Sequence, residues 1–357
     1  MITPGPAAPF SPASSLEKRE LFQARKLIKI RKRAPLALWI LAFAALQTAL
    51  PHPATAAKSG RNSLGPTMAV PSGEDAAYIA FDQGQYLTAL KLARAAAKKG
   101  DAQAHTLIGR IYAEGRGAPK NETIAAQWYK RAAKLGDIEA TFAYGVLLAA
   151  GRGVKKDRTA AGVLFEKAAL KGHPHAHYNL AQLFLAGQGK PENPRRAALH
   201  LEYAARKGIV EAQYDLATLY QKGHGVPANA LKAAHWMRQA AARGLPSAQY
   251  EYAVMLLRGH GFNADKPKAI NYLKNAAKRG LPGAQNRLAN VYVQGITVRK
   301  SLTEAAMWRL LARQHGIKDA ALDKVLAKLS KRDLAQAQRA ATALQEGAAI
   351  GFSLPTK

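Results

Sequence analysis

The chain has 357 residues, 48% of them apolar, with only 7% aromatic residues and no cysteine. The missing cysteines exclude a disulfide framework, a thiolate zinc site and a cysteine nucleophile, while the apolar share is that of a globular chain, with alanine frequent enough to favour close-packed helices. A formal charge of +30 favours contact with polyanions such as nucleic acid, acidic polysaccharide or phospholipid headgroups, and the length suits either two ordinary domains or one repeat array.

The first segment, residues 1–57, reads as an export signal. A basic run, EKRELFQARKLIKIRKR, precedes the apolar stretch APLALWILAFAALQTAL at 34–50, and Ala54-Thr55-Ala56 supplies small residues of the cleavage kind. Seventeen apolar residues stand at the short limit for spanning a bilayer of roughly 30 Å. The expectation is therefore a cleaved signal and a periplasmic product; the alternative is a retained inner-membrane anchor with a basic cytoplasmic segment and the rest exported. Residues 1–57 hold eight Lys/Arg and two Asp/Glu, so the remainder keeps 45 against 21, a net +24. Residues 58–75, rich in Gly, Pro and Ser, read as a flexible linker.

From residue 101 the sequence repeats with a period of 36. Six units begin at residues 101, 137, 173, 209, 245 and 281 with no insertion, and residues 76–100 look like a shortened first unit. Alanine fills position 4 of every unit, and positions 8 and 11 are apolar, one face of a first helix. Position 9 is Gly or Ala. Glycine at position 15, from Gly115 to Gly295, suits a left-handed helix end. A second helix carries alanine at positions 25 and 32, with the bulk expected at position 28: Trp128, Leu164, His200, Trp236, Tyr272 and Trp308. It ends at the glycine of position 36, behind Lys or Arg residues that oppose the helix dipole by ~0.3 to 1 kcal/mol each. Part of the basic excess is thereby structural.

The stretches GRGVKKDRTAAGVLFEKAALKGHPHAHYNLAQLF and GHGVPANALKAAHWMRQAAARGLPSAQYEYAVML carry the pattern of the Sel-one-like repeat family, relatives of the tetratricopeptide repeats, and the chain resembles that family across 101–316. The resemblance implies an all-α fold, a right-handed superhelical solenoid of antiparallel helix pairs, acting as an adaptor or regulator in bacterial signalling and envelope biology. It implies no chemistry, because the shared positions are packing and turn residues. Some secreted members are cysteine-rich and described as penicillin-binding; a chain without cysteine gives no ground for that activity. Two departures mark the last unit: Thr297 replaces the second turn glycine, and Arg309 and Arg313 replace mostly apolar residues. Residues 317–346 read as two capping helices, with Ser330 an N-cap candidate, and 347–357 as a loose tail.

No enzyme motif emerges: the GRG, GQG and GHG turns recur at fixed phase as helix-ending turns, and a lone G-x-G is weak evidence for phosphate. Neither catalytic nor cofactor residues are expected. The binding candidates lie at positions 6 and 10, one helical turn apart beside the packing face: Arg110, Tyr178, Gln182, Tyr214, Tyr250 and Asn290. Their identities vary between units as ligand contacts would. Tyr178, Tyr214 and Tyr250 either form a ladder offered to a partner or pack between helices. HPHAH at 173–177 resembles a metal motif, but register places His177 in a slot that three units fill with glutamine, and His173 and His175 in an interhelical turn around Pro174, so no metal is expected. The expected function is a non-enzymatic scaffold or regulator binding a protein partner in the periplasm or envelope, such as a membrane sensor or assembly factor. The alternative is electrostatic binding of acidic polysaccharide or lipid headgroups, a polyanionic envelope component rather than nucleic acid.

Overall fold

A computed structural model describes residues 73–295 and 297–349. The signal or anchor of 1–57, nearly all of the linker at 58–75 and the end of the tail lie outside the described residues. Within them the fold is an all-α solenoid of sixteen helices with no strand. α1 (Gly73–Asp82) and α2 (Tyr86–Ala97) precede six units of two 13-residue helices each. The first helix of each unit, the A helix, is α3 (Ala102–Glu114), α5 (Ile138–Ala150), α7 (Pro174–Ala186), α9 (Val210–Lys222), α11 (Pro246–Arg258) or α13 (Pro282–Gln294). The second, the B helix, is α4 (Glu122–Lys134), α6 (Arg158–Leu170), α8 (Pro194–Arg206), α10 (Ala230–Ala242), α12 (Lys266–Lys278) or α14 (Leu302–Gln314). α15 (Ala320–Leu326) and α16 (Lys331–Ala349) close the array.

The C-terminal ends of the A helices and the N-terminal ends of the B helices each have a chemical cause. Position-15 glycines stop the A helices at φ between 63° and 75°, a left-handed conformation without steric cost for glycine. The B helices begin at position 21, always Asn, Asp or Ser: Asn121, Asp157, Asn193, Asn229, Asp265 and Ser301 each accept the N–H of the residue three positions on. Such a cap contributes about 1 kcal/mol. The backbone N–H of the same residue returns to the position-12 carbonyl, as Asn193 N does to Phe184 O at 2.9 Å, which closes the intervening turn. These caps were readable in the sequence but escaped it, because the A-helix glycines drew the boundary argument.

The alanines at positions 4, 25 and 32 are at most 2% exposed in all six units, so helices approach to backbone distance. In the first five units the buried bulky partner is not at position 28, as the sequence suggested, but at position 29, where Tyr129, Phe165, Leu201, Met237 and Leu273 are buried; position 28 lies one residue, about 100°, around the helix at its margin. In the last unit Trp308 at position 28 is itself buried, at 4% exposure. Position 9 answers position 29. A Cβ on Gly109 would meet the Tyr129 ring at 2.8 Å and one on Gly145 the Phe165 ring at 2.8 Å, whereas units with Leu or Met at position 29 carry Ala181, Ala217 and Ala253. One continuous core runs from Leu148 to Ala341, built by stacking of neighbours.

The array ends in a polar lock. Arg309, 2% exposed at position 29, forms a paired bridge to Asp323 (Nε to Oδ1 2.7 Å, Nη2 to Oδ2 2.8 Å), and its Nη1 donates to Asn286 Oδ1 and the Ile317 carbonyl. α16 packs on α14, burying Ala337 and Ala341. Ser330 caps α16 by accepting the Asp333 N–H at 3.1 Å and donating its hydroxyl to the Asp333 carboxylate at 2.7 Å.

Candidate functional site

Positions 6 and 10 point from the A helices along a surface shared by successive units, and the structure places the six candidates there, all half-buried. Tyr178 Oη and Gln182 Nε2, one turn apart on α7, both donate to Asp215 Oδ2 on α9, at 3.3 and 2.7 Å. The same geometry recurs at the end of the array, where Asn286 and Asn290 of α13 both donate to Asp319 Oδ2, at 2.9 and 3.2 Å. Burial pushes the Asp319 carboxyl up, but hydrogen bonds from Asn286, the Leu322 N–H and Asn290 outweigh it and hold the group below its ordinary range. In these two units the candidates therefore already stitch a unit to its successor. The two acidic acceptors were missed because a carboxylate 29 to 37 residues away has no local signature.

Tyr214 on α9 and Tyr250 on α11 continue the register of Tyr178, and all three pack against the common core while keeping part of their surface open. Arg110, on α3, is set apart: its Nε donates to Glu114 Oε1 at 2.8 Å and its guanidinium carbon stands 4.6 Å from the Phe81 ring centroid. The tyrosine ladder and Gln182 share one region; Arg110 and Asn290 belong to the two ends.

The histidine motif resolves into structural roles. His173 lies in the interhelical connection, as expected, where it is the N-cap of α7, its Nδ1 accepting the Ala176 N–H at 3.1 Å; His175 is not in that connection but inside the first turn of the helix. Pro174, at the first helical position, has no N–H to lose and pre-sets the helical φ, and the helix starts at position 2 as in the other units, including those whose A helix begins with Ala102, Ile138 or Val210. With Nδ1 accepting, His173 Nε2 carries the proton toward Glu139 Oε1 at 3.2 Å, and this hydrogen bond holds the Glu139 carboxyl below its usual range. Both lie on a cleft of about 610 Å³ beside Leu135 and Lys171. His177 Nε2 donates to the Ala169 carbonyl at 3.1 Å, the bond that Gln213, Gln249 and Gln285 make to Ala205, Ala241 and Ala277. Its Nδ1 meets His200 Nδ1 at 2.9 Å, and its ring stacks on Tyr203 at 3.9 Å. Burial lowers the pKa of His175 and His177 and pushes His200 down to about 4. Among the described residues no cluster of three or more His, Asp or Glu side chains is placed to hold a metal ion.

Two of the terminal cations also have structural partners, though not their own helix ends. Arg243 and Arg279 at position 35 donate to the Gly208 and Gly244 carbonyls of the preceding unit, at 3.4 and 2.9 Å.

The protein-family model described as Sel1 repeat matches residues 102–137, 138–173, 174–209, 210–245, 246–281 and 282–316, one residue offset from the units defined above. Among solved structures, the chain is similar to a Sel1 repeat protein from Oxalobacter formigenes, at 27% identity over 69% of this chain and 99% of that one, with a TM-score of 0.61. It is also similar to c5321, a protective antigen present in uropathogenic Escherichia coli strains displaying an SLR fold, at 24% identity over 80% of this chain and 72% of that one, TM-score 0.52, a likeness of fold alone. No curated protein matches the sequence. Repeats of this kind generally mediate protein–protein contact, and their scaffolds are typically non-catalytic. Six consecutive matches in register, spanning more than half of the sequence, mean that the chain belongs to the Sel1 repeat family.

Proposed function

We propose that the protein is a non-enzymatic scaffold or regulator of the bacterial periplasm or envelope that holds a protein partner on the A-helix face. The observation that carries this reading is the ladder of Tyr178, Tyr214 and Tyr250 on three successive A helices, each part-exposed and braced by the core beneath it. A tyrosine held by packing contributes apolar area and a polar tip at small entropic cost, the property that makes it frequent among dominant interface residues. Export, by a cleaved signal or a retained anchor, rests on the order of basic run, apolar run and small residues within 1–57. No helix among the described residues is long and apolar enough to cross a membrane, and the apolar run at 34–50 lies outside them.

Affinity purification from envelope fractions with the wild type and with Tyr214→Ala/Tyr250→Ala tests the partner. A protein recovered with the wild type and reduced about tenfold or more with the helical but ladderless variant supports the reading; repeated recovery of nothing, or equal recovery with both, removes it. N-terminal mass analysis of protein from native cells separates cleavage near Ala56 or Ala57 from anchoring, and an uncleaved product in the cytoplasmic fraction would end the export reading.

A further inference from the structure

We infer that the outer face of the B helices is a docking surface for an anionic lipid bilayer. The inference goes beyond the A-face reading and does not rest on it.

Positions 23, 27, 30 and 34 follow one another at spacings of four, three and four, so they form a single stripe along each B helix. In α4 all four, Thr123, Gln127, Lys130 and Lys134, are exposed. Taken over α2, where the register begins, and the B helices from α4 to α12, the stripe holds ten Lys/Arg and two acidic residues. Both acids are already engaged, Glu166 by Lys190 off the stripe at 2.7 Å and Glu202 by Arg206, one of the ten, at 2.6 Å, which leaves nine stripe cations outside these two pairs. Helix-end stabilisation accounts for cations in the final turn, at position 34. It does not account for those at positions 27 and 30, such as Lys91, Lys130 and Lys274.

Among the described residues the same stripe carries the most exposed large aliphatic side chains: Leu170 is 87% exposed, Leu87, on α2, 74%, Leu231 70%, Leu199 64% and Val163 56%, the four other than Leu87 on the successive helices α6, α8 and α10. A single exposed leucine needs no explanation. Four on one stripe of three neighbouring helices, between cation-bearing helices on either side, form a row with an electrostatic border. Where the array ends, the corresponding stripe of α14 is closed over by the terminal segment, leaving Met307 at 7% exposure. The fold thus covers this stripe at its end and leaves it open in the middle.

Cations alone would fit any polyanion, but an acidic polysaccharide gains nothing from Leu170 or Leu231. A bilayer with anionic headgroups takes both chemistries at once, phosphates for the lysines and the acyl boundary for the aliphatics.

The chain contains no cysteine, so single-cysteine probes are unambiguous. The full chain carrying Leu199→Cys, labelled with an environment-sensitive fluorophore, is mixed with vesicles of phosphatidylglycerol and phosphatidylcholine or of phosphatidylcholine alone. Gln221→Cys, exposed on the A helix α9, is the reference, and local insertion is the readout because the apolar run at 34–50 can bind vesicles by itself. Expected are a blue shift and protection from an aqueous quencher at Leu199 on the anionic vesicles only, with Gln221 unchanged. Replacing Lys130, Lys134, Lys274 and Lys278 by Glu lowers the shifted fraction about tenfold or more at fixed lipid, with helical circular dichroism retained. The inference is overturned by no shift at Leu199 on anionic vesicles or by an equal shift at Gln221. It is equally overturned by the same shift with a soluble acidic polysaccharide, or by a shift that rises with protein concentration without lipid, which would assign the face to a polymer or to a second copy of the chain.

Discussion

His177 and His200 share a proton line across two helices: His177 Nε2 donates to the Ala169 carbonyl of the preceding unit at 3.1 Å, and its other ring nitrogen stands 2.9 Å from His200 Nδ1. The first of these bonds is what position 5 supplies in the next three units through glutamine. A neutral imidazole and a carboxamide reach the same carbonyl with one N–H, so His177→Gln is expected to leave stability within about 1 kcal/mol of wild type at pH 8. Gln249→Leu, which removes the only donor to Ala241 from α11's side chains, is expected to cost about 1 kcal/mol. Thermal melts of both variants check the order.

The same pair sets a pH dependence. His200 titrates near 4 in the folded chain, and His175 and His177 are also lowered, against about 6.5 when unfolded. Between those values the unfolded chain binds more protons, so stability rises with pH through this window. The contribution is complete above pH 6.5 and is lost as pH falls toward 4. Melting temperature is expected to drop between pH 7.5 and 4.5, and the drop to shrink in His177→Gln/His200→Leu.

Arg309 is buried against Asp323, whose carboxyl the guanidinium holds below its ordinary range. Asp323→Ala leaves a buried cation short of its counter-charge and is expected to cost about 3 kcal/mol. Arg309→Met restores the apolar residue of the other units and leaves Asp323, 40% exposed at its side chain, to water; it is expected to cost less. Hydrogen exchange in α14 to α16 measures both.

The complementarity of positions 9 and 29 is testable as a cycle. Gly145→Ala drives a methyl into Phe165 and is expected to destabilise by about 1 to 3 kcal/mol despite the helix propensity gained. Combined with Phe165→Leu, it reproduces the Ala/Leu pairing of Ala181 and Leu201, and the double mutant is expected to be more stable than the sum of the single costs predicts. Denaturant midpoints for the four proteins decide it.

Thr297 sits at φ 72°, the one positive-φ residue other than glycine among those described. A β-branched side chain is strained there, so Thr297→Gly is expected to stabilise by about 1 kcal/mol. The reverse change earlier in the array is expected to be severe: a Cβ on Gly153 would collide with the Glu122 carbonyl of the preceding unit. Gly153→Ala should therefore cost about 3 kcal/mol or more, read from the same melts.

The period, the two helices per unit, the alanine contact positions and the glycine helix ends were all legible in the sequence, because each is a local rule about periodicity or a backbone conformation, repeated six times. The caps at position 21 were equally local and were simply overlooked. Other features required the stacked helices. In the first five units position 29 rather than 28 faces the core because the rotation of a B helix is fixed by what it packs on, and no window of one unit contains that information. Asp215 and Asp319 receive the position 6 and 10 side chains from another unit, so residues that vary as ligand contacts would are partly committed to holding units together. HPHAH looked like chemistry because three histidines alternate; stacking shows one capping a helix, one within its first turn and one replacing a glutamine, since Glu139, Ala169 and His200, which answer His173 Nε2 and both ring nitrogens of His177, are brought near only by the fold.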